Sequence, residues 1–273
     1  MQKILSRSVI YILLIIGALF ILIPFIWMLS TSLKPLNEVL IMPPKFIPSK
    51  IMWENYRIAW EAAPFKTYFK NSIIVTVSVT IGEIITTILA AFAFSRIEFK
   101  GRDIIFTILV ATMMVPGEVL TIPNFVTLSK LGWIDSYKAL IIPWCASIYA
   151  IYLLKQHFMS IPEELYNAAK IDGCTDFKFL WTIMVPLAKP AIVTLIILKV
   201  ISSWNSFFWP LIVTNSQEMR TLPLALSAFT NEFGTDYNVL MAATNIMILP
   251  VMIFYIILQK HIIAGVSKQG IKG

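Results

Sequence analysis

Two ionisable side chains, Glu83 and Lys199, stand inside otherwise apolar stretches of this sequence. A carboxylate or an ammonium near the centre of a bilayer is costly unless it faces protein or water. Each therefore marks either a transport pathway or a structural contact, such as an interhelical hydrogen bond or a snorkelling lysine. Catalytic groupings are missing: His157 and His261 stand near the ends of apolar stretches with no nucleophile or metal-ligand cluster beside them. Cys145 and Cys174 form no metal or redox motif and read as free thiols. No G-x-x-x-x-G-K-S/T phosphate loop occurs, so no ATP site is expected on this chain. The residue types predict neither an enzyme nor a metal or cofactor bound by the chain itself.

The elements that must hold these groups are membrane helices. Of 273 residues, 58% are hydrophobic and 14% charged, which departs from the roughly 45–50% and 25% of soluble domains. The net charge of +7 is spread between apolar runs rather than gathered in a patch, which argues against nucleic-acid binding and for a role in membrane topology. About 20 apolar residues span a bilayer as a helix. Six stretches meet or approach that length: 9–29, 73–94, 104–126, 139–154, 191–213 and 239–258. The first is longer than a signal-peptide core and lacks an A-x-A site, so it is read as a retained span. The short outer connections hold only Lys130, Lys138 and Arg220, which places both termini in the cytoplasm. Pro116-Gly117, Pro210 and Pro250 can open the helical ladder, which suits a translocation pathway but is also common in ordinary membrane helices and decides nothing by itself.

Between the fourth and fifth spans, Ser160-Ile-Pro-Glu163 reads as a capping box, and Gly173 is placed to end a helix in the left-handed conformation. A helix of about three turns, a tight turn and a second helix from near Thr175 are predicted. Leu165, Ala168, Ala169 and Asp172 share one face, where two alanines allow close approach by another surface. A plain linking helix and a docking helix both satisfy that pattern.

This stretch resembles the EAA loop of ABC importer permeases, with Asn167-Ala168-Ala169, Asp172-Gly173 and Val185-Pro186 at its characteristic places. The first family position, usually Glu, is Asn167, which exchanges a charged contact for a neutral hydrogen bond; Glu163 and Glu164 keep the helix start acidic. The likeness runs along nearly the whole chain and resembles the maltose-transporter type of binding-protein-dependent carbohydrate permease. It is carried by Glu54-Asn55-Tyr56, Phe99-Lys100-Gly101-Arg102, Ile161-Pro162-Glu163-Glu164-Leu165, Trp204-Asn205-Ser206-Phe207 and Lys268-Gln269-Gly270-Ile271-Lys272-Gly273. The family usually has Glu where Ser206 stands.

The resemblance implies an all-α integral membrane protein of the type I ABC importer permease fold, a single permease domain over 1–273 with a cytoplasmic coupling helix in the loop 160–190. It implies docking of Glu163, Glu164, Asn167, Ala168, Ala169, Asp172 and Gly173 on a cytoplasmic ATPase. ATP and Mg would be bound by two such ATPase subunits, with a second homologous permease and an extracytoplasmic solute-binding protein completing an importer in a prokaryotic cytoplasmic membrane. The tail residues Lys268, Gln269 and Gly270 are implied ATPase contacts. Sugars favour aromatic faces with nearby hydrogen-bonding groups, so Trp204 and Asn205 are the substrate-pathway candidates, with membrane anchoring the other reading of Trp204. An oligosaccharide is the first expected substrate, then a monosaccharide, then a polyol or glycerol phosphate. A self-contained secondary carrier is the rival from another class; it would need Glu83 or Lys199 for transport, and no internal repeat supports it.

Overall fold

The computed structural model describes residues 2–231 and 234–267. It is built of helices, with one two-residue antiparallel pair, Thr230–Asn231 with Gly234–Thr235. Among the described residues, four helical stretches are long and apolar enough to cross a membrane, namely Ile10–Ser32, Phe65–Arg96, Tyr137–Met159 and Tyr237–Ile257. Two bent pairs raise the number to six by length and composition: Arg102–Thr112 with Gly117–Lys130, bent by 92°, and Asp176–Leu187 with Lys189–Trp204, bent by 79°.

The expected spans are recovered with altered ends and with interruptions. The second runs over Phe65–Arg96 (α1), longer than 73–94 because Phe65, Tyr68, Asn71 and Ser72 are buried on its packed side while Lys66 and Lys70, which end the apolar run, stay exposed. The third is broken, not continuous over 104–126: Arg102–Thr112 (α2) ends, Gly117–Leu120 forms a tight 3-10 turn, and Thr121–Lys130 (α3) follows. The fourth reaches Met159, with a 3-10 turn at Ile142–Trp144 around Pro143, then Ile148–Met159 (α4). The fifth is Lys189–Trp204 (α5), interrupted at 205–207, then Phe208–Val213 (α6). Pro210 lies in the first turn of α6, where a missing N–H costs nothing, so the break falls upstream of the proline.

The backbone groups into two compact units, Met1–Phe65 with Leu224–Pro250, and Lys66–Pro223 with Val251–Gly273. In the first, Asn55 is the organising side chain. Its Nδ2 donates to the carbonyls of Ser32 and Lys34, both at 2.9 Å, and its Oδ1 accepts from Asn238 Nδ2 at 3.2 Å. Lys34 is fully buried with its Nζ 3.8 Å from the Trp27 ring centroid, a cation–π contact in place of an ion pair.

The second unit holds two apolar clusters on shared helices. One joins Phe92 of α1, Leu154 and Phe158 of α4, and Leu195 of α5. The other joins Val75 and Val79 of α1 to Leu140, Trp209 and Val213. Trp209 Nε1 donates to the Ala139 carbonyl at 3.0 Å, so its indole is satisfied inside the apolar wall. Gly82 allows α1 to meet the fourth span: a Cβ there would lie 2.6 Å from Cys145 Sγ and 3.0 Å from its Cβ. One helical turn on, Thr86 Oγ1 donates to the Cys145 carbonyl at 2.6 Å.

This contact generates a compensation test. Gly82→Val should destabilise the purified protein by about 1–3 kcal/mol through overpacking, and adding Cys145→Ala should recover most of the loss. Thermal unfolding followed by size-exclusion chromatography reads both. Equal instability of single and double variants would show that the close approach is not the controlling contact.

Candidate functional site

The first site is the helical hairpin between the fourth and fifth spans. Glu163–Ile171 (α7) carries Glu163 and Glu164 in its first turn and Lys170 in its last, which suits the helix dipole at both ends. Its close is a Schellman motif: Gly173 has φ 72°, Cys174 N–H donates to the Ala169 carbonyl at 2.9 Å, and Gly173 N–H to that of Lys170 at 3.0 Å. Thr175 then caps the next helix, accepting from the Lys178 N–H at 3.3 Å. Five residues of π-helix, Leu180–Met184, precede Pro186, which cannot donate to the ladder.

The expected capping box of Ser160 with Glu163 does not form. Ser160 still belongs to the end of α4, its Oγ donates back to the His157 carbonyl at 2.7 Å, and Pro162 occupies the N-cap of α7 without a side-chain bond. The two alanines also part company, since neighbours on a helix point about 100° apart. Ala169 is buried with Tyr166 in the chain's own core, whereas Ala168 is exposed. Glu163, Glu164, Asn167, Asp172 and Gly173 are exposed as well, beside Leu165 and an 87% exposed Ile171. The open face is therefore acidic at its start and apolar at its end.

Tyr166 fastens this helix. Its ring meets those of Phe179 at 5.0 Å and Phe92 at 6.5 Å, and its hydroxyl donates to Asp176 Oδ1 at 2.7 Å, tying the two arms of the hairpin. Burial pushes the Tyr166 hydroxyl above the usual tyrosine range, while its hydrogen bond to Lys170 holds the ammonium above the usual lysine value. Arg96 at the end of α1 donates to the carbonyls of Phe158, at 2.9 Å, and Ile161, satisfying the end of α4. Sequence reasoning missed Tyr166; its signal was the i, i+3 spacing to Ala169.

The second site is a cavity of about 540 Å³ within the second unit. The 3-10 turn at Gly117–Leu120 and the interruption at Ser206-Phe207 both border it, with Thr76 of α1, Trp144, and Lys199 and Ser203 of α5. Lys199 Nζ lies 2.5 Å from Glu83 Oε2, with side chains 14% and 6% exposed. The two intramembrane charges are thus partners, and the pair ties α1 to α5. Trp204 and Asn205 are not among the lining residues. Trp204 is buried with its ring edge-on to Phe69 at 5.5 Å, and Asn205 Nδ2 donates to the Ile201 carbonyl at 2.9 Å, closing α5. The flanking Ser203 and Ser206 border the cavity instead. Glu118 was also missed, although it directly follows Pro116-Gly117 and is the lone carboxylate between Asp103 and Asp135. Lys268, Gln269 and Gly270 lie outside the described residues.

Broken apolar helices around a cavity whose apolar wall carries a few hydroxyls and charges, with a capped helical hairpin at the base of the same helices, suit a membrane permease. Residues 83–268 match the family of binding-protein-dependent transport system inner membrane components, and the chain belongs to that family. The arabinooligosaccharides transport system permease protein AraQ of Bacillus subtilis (strain 168) is 37% identical over 94% of this chain and 92% of its own length. The sn-glycerol-3-phosphate transport system permease protein UgpE of Yersinia pestis bv. Antiqua (strain Antiqua) is 32% identical over 93% of this chain and 94% of its own. A chain of a crystallised bacterial ABC transporter involved in the import of the acidic polysaccharide alginate superposes with a TM-score of 0.82 and 28% identity, covering 95% of this chain and 97% of that one. The fold is that of a type I ABC importer permease, and the chain is a transport subunit of the inner membrane.

Lys199→Met should cost about 3–5 kcal/mol by leaving Glu83 buried without its partner. Glu83→Gln combined with Lys199→Met should lie within about 1 kcal/mol of the parent. Denaturant unfolding of the purified protein measures both; a double variant as unstable as the single would mean that the pair is not a closed electrostatic unit.

Proposed function

We propose that this chain is one of two permease subunits in an ATP-driven, binding-protein-dependent importer of an oligosaccharide. The observation that carries the reading is the helical hairpin of α7, whose outer face is left open while Tyr166 and Ala169 root it in the core shared by α1, α4 and α5. That arrangement suits a docking element whose displacement must reach the helices around the cavity. The likeness to an arabinooligosaccharide permease favours a sugar, and the serine and threonine hydroxyls set among aromatic rings in the cavity wall agree with it. The UgpE likeness keeps glycerol phosphate as the second reading.

In this reading both termini and the hairpin face the cytoplasm. Two ATPase subunits, which bind ATP and Mg, grip α7 through Glu163, Glu164, Asn167, Ala168, Asp172 and Gly173, while Ala169 holds the helix from behind. Asn167 supplies a neutral hydrogen bond at the family's usual glutamate position. Closure of the ATPases turns the permease pair outward to receive sugar from an extracytoplasmic binding protein, and reopening releases it inward. Ser203 and Ser206 touch the pathway directly, with Trp204 and Asn205 supporting the bend from behind. Lys268, Gln269 and Gly270 approach the ATPase.

Purification of the tagged chain from its host should bring a second permease and an ATPase, and the complex in liposomes should take up arabinotriose only with ATP and its binding protein. Ala168→Arg should strip the ATPase while retaining the second permease. Gly173→Val forces a β-branched residue to φ 72°, at a cost of about 1–2 kcal/mol. It should leave ATP hydrolysis measurable while lowering uptake at least about tenfold, the loss that corresponds to about 1.4 kcal/mol of coupling. Transport by this chain alone without ATP would establish a secondary carrier instead.

A further inference from the structure

We propose that Glu118 sets the charge selectivity of the cavity, so that the part of the substrate passing it is an uncharged, hydroxyl-rich chain rather than a phosphate or a uronate. The inference rests on the importer reading and adds to it the charge of the ligand and the residue that reads it.

Among the described residues, the ionisable groups bordering the cavity are Glu118 and Lys199. They are not equivalent. Lys199 is held 2.5 Å from Glu83 with its side chain 14% exposed, so its charge is cancelled within the wall. Glu118 stands exposed on the 3-10 turn Gly117–Leu120 and has no ion-pair partner among the described residues. Arg220, next to Thr221, does not border the cavity, and its charge is felt by Asp135, whose carboxylate also accepts from the Asn215 and Ser216 N–H groups. The wall therefore carries one uncompensated negative charge beside low-dielectric surfaces, which repels an anion and accepts charge-assisted hydrogen bonds from hydroxyls.

A second observation points to hydroxyl ligands independently. Thr76 and Thr221, each 4% exposed, border the same cavity, and their hydroxyls have no hydrogen-bond partner among the described residues. A buried hydroxyl left unpaired is unfavourable, and it can both donate to and accept from a ligand hydroxyl. The exposed rings of Trp144 and Phe208 add apolar faces against which the C–H side of a sugar ring can lie.

The test reads the sign of the cavity directly. Ser206→Cys is introduced with Cys145→Ala and Cys174→Ala, the full transporter is purified, and labelling of this subunit is followed by mass. The probes are the trimethylammonium-ethyl and sulfonatoethyl methanethiosulfonates. With each, the introduced thiolate forms a disulfide to the probe's sulfur as the probe's S–S bond breaks and methanesulfinate leaves. Relative to a small free thiol, the cationic probe should react at least about threefold faster than the anionic one, as expected for one nearby charge at intermediate dielectric. Glu118→Gln should bring the ratio close to one and Glu118→Lys should invert it. Ser203→Cys supplies a second reporter should the first fail to assemble. An unbiased ratio, or one unchanged by Glu118→Gln, overturns the proposal. Uptake of arabinotriose and of glycerol 3-phosphate by the same complex separates the two readings. Uptake of glycerol 3-phosphate with arabinotriose excluded overturns the selectivity of Glu118 and leaves the importer standing. Failure of ATP to drive uptake of either solute, with the thiol ratio intact, counts against the importer and supports the charge assigned to the cavity.

Discussion

Inside hydrocarbon every backbone N–H and C=O must be paired, so a chain can abandon the helix only where protein or water replaces the lost partners. In the second unit the spans are interrupted at 113–120, 142–147 and 205–207, and residues from all three border the cavity. The cavity is thus tied to where the helices stop. The same constraint accounts for the side chains at those ends. Thr112 Oγ1 donates to the Leu109 carbonyl at 2.6 Å and Asn205 Nδ2 to that of Ile201 at 2.9 Å, each occupying an acceptor near the end of its helix.

Behind the breaks, the wall is built for close approach. Gly82 admits Cys145, Thr86 bonds the Cys145 carbonyl, and Glu83 meets Lys199, so this stretch of α1 is committed to neighbours on two sides. Glu83 and Phe92 lie on one continuous helix, about 13.5 Å apart at 1.5 Å per residue. Phe92 is in the cluster that roots Tyr166 and Ala169. On α5, Leu195 belongs to that cluster and Lys199 to the cavity wall, one turn apart. Two stiff helices therefore connect the base of the hairpin to the cavity without passing through a loop. Close-packed interiors deform little, so a displacement of the hairpin has few soft places in which to dissipate before it reaches the wall.

The sequence was most readable where local chemistry decides the outcome. Gly173 had to take a positive φ, Thr175 had to open the next helix, and apolar runs of span length had to become helices; all of these depend on neighbours within a few residues. It was less readable where two local solutions compete and packing chooses between them. Ser160 had both a capping-box spacing and a place at the end of α4, where its N–H and Oγ bond α4 carbonyls while Pro162 takes the N-cap of α7. Trp204 carried the strongest aromatic signal in the fifth span, yet a large ring is stabilised most by full burial, and Phe69 provides it. Pro210 marked a weak point, but a proline is harmless in a first turn, so the interruption moved to 205–207. Glu118 and the pairing of Glu83 with Lys199 depend on residues far apart in sequence, beyond what spacing alone reports.

Relatives named for transport of arabinooligosaccharides and of sn-glycerol 3-phosphate, and a structural neighbour involved in alginate import, share this architecture although their cargoes differ in charge. A fold that accommodates all three cannot itself encode ligand charge. The helices are held to their packing by backbone pairing and by the contacts that root the hairpin. At the breaks, Gly117, Glu118, Ser206 and Phe207 border the cavity, and none belongs to the clusters that root the hairpin or pack α1 on the fourth span. Glu118 can therefore change without disturbing α1, α4 or α5, whereas Lys199 cannot change without stranding Glu83. An uncompensated cation in this wall would require either loss of the Glu83 carboxylate or a new basic residue at a break. This sequence has done neither, and the charge it leaves open to the cavity is a carboxylate.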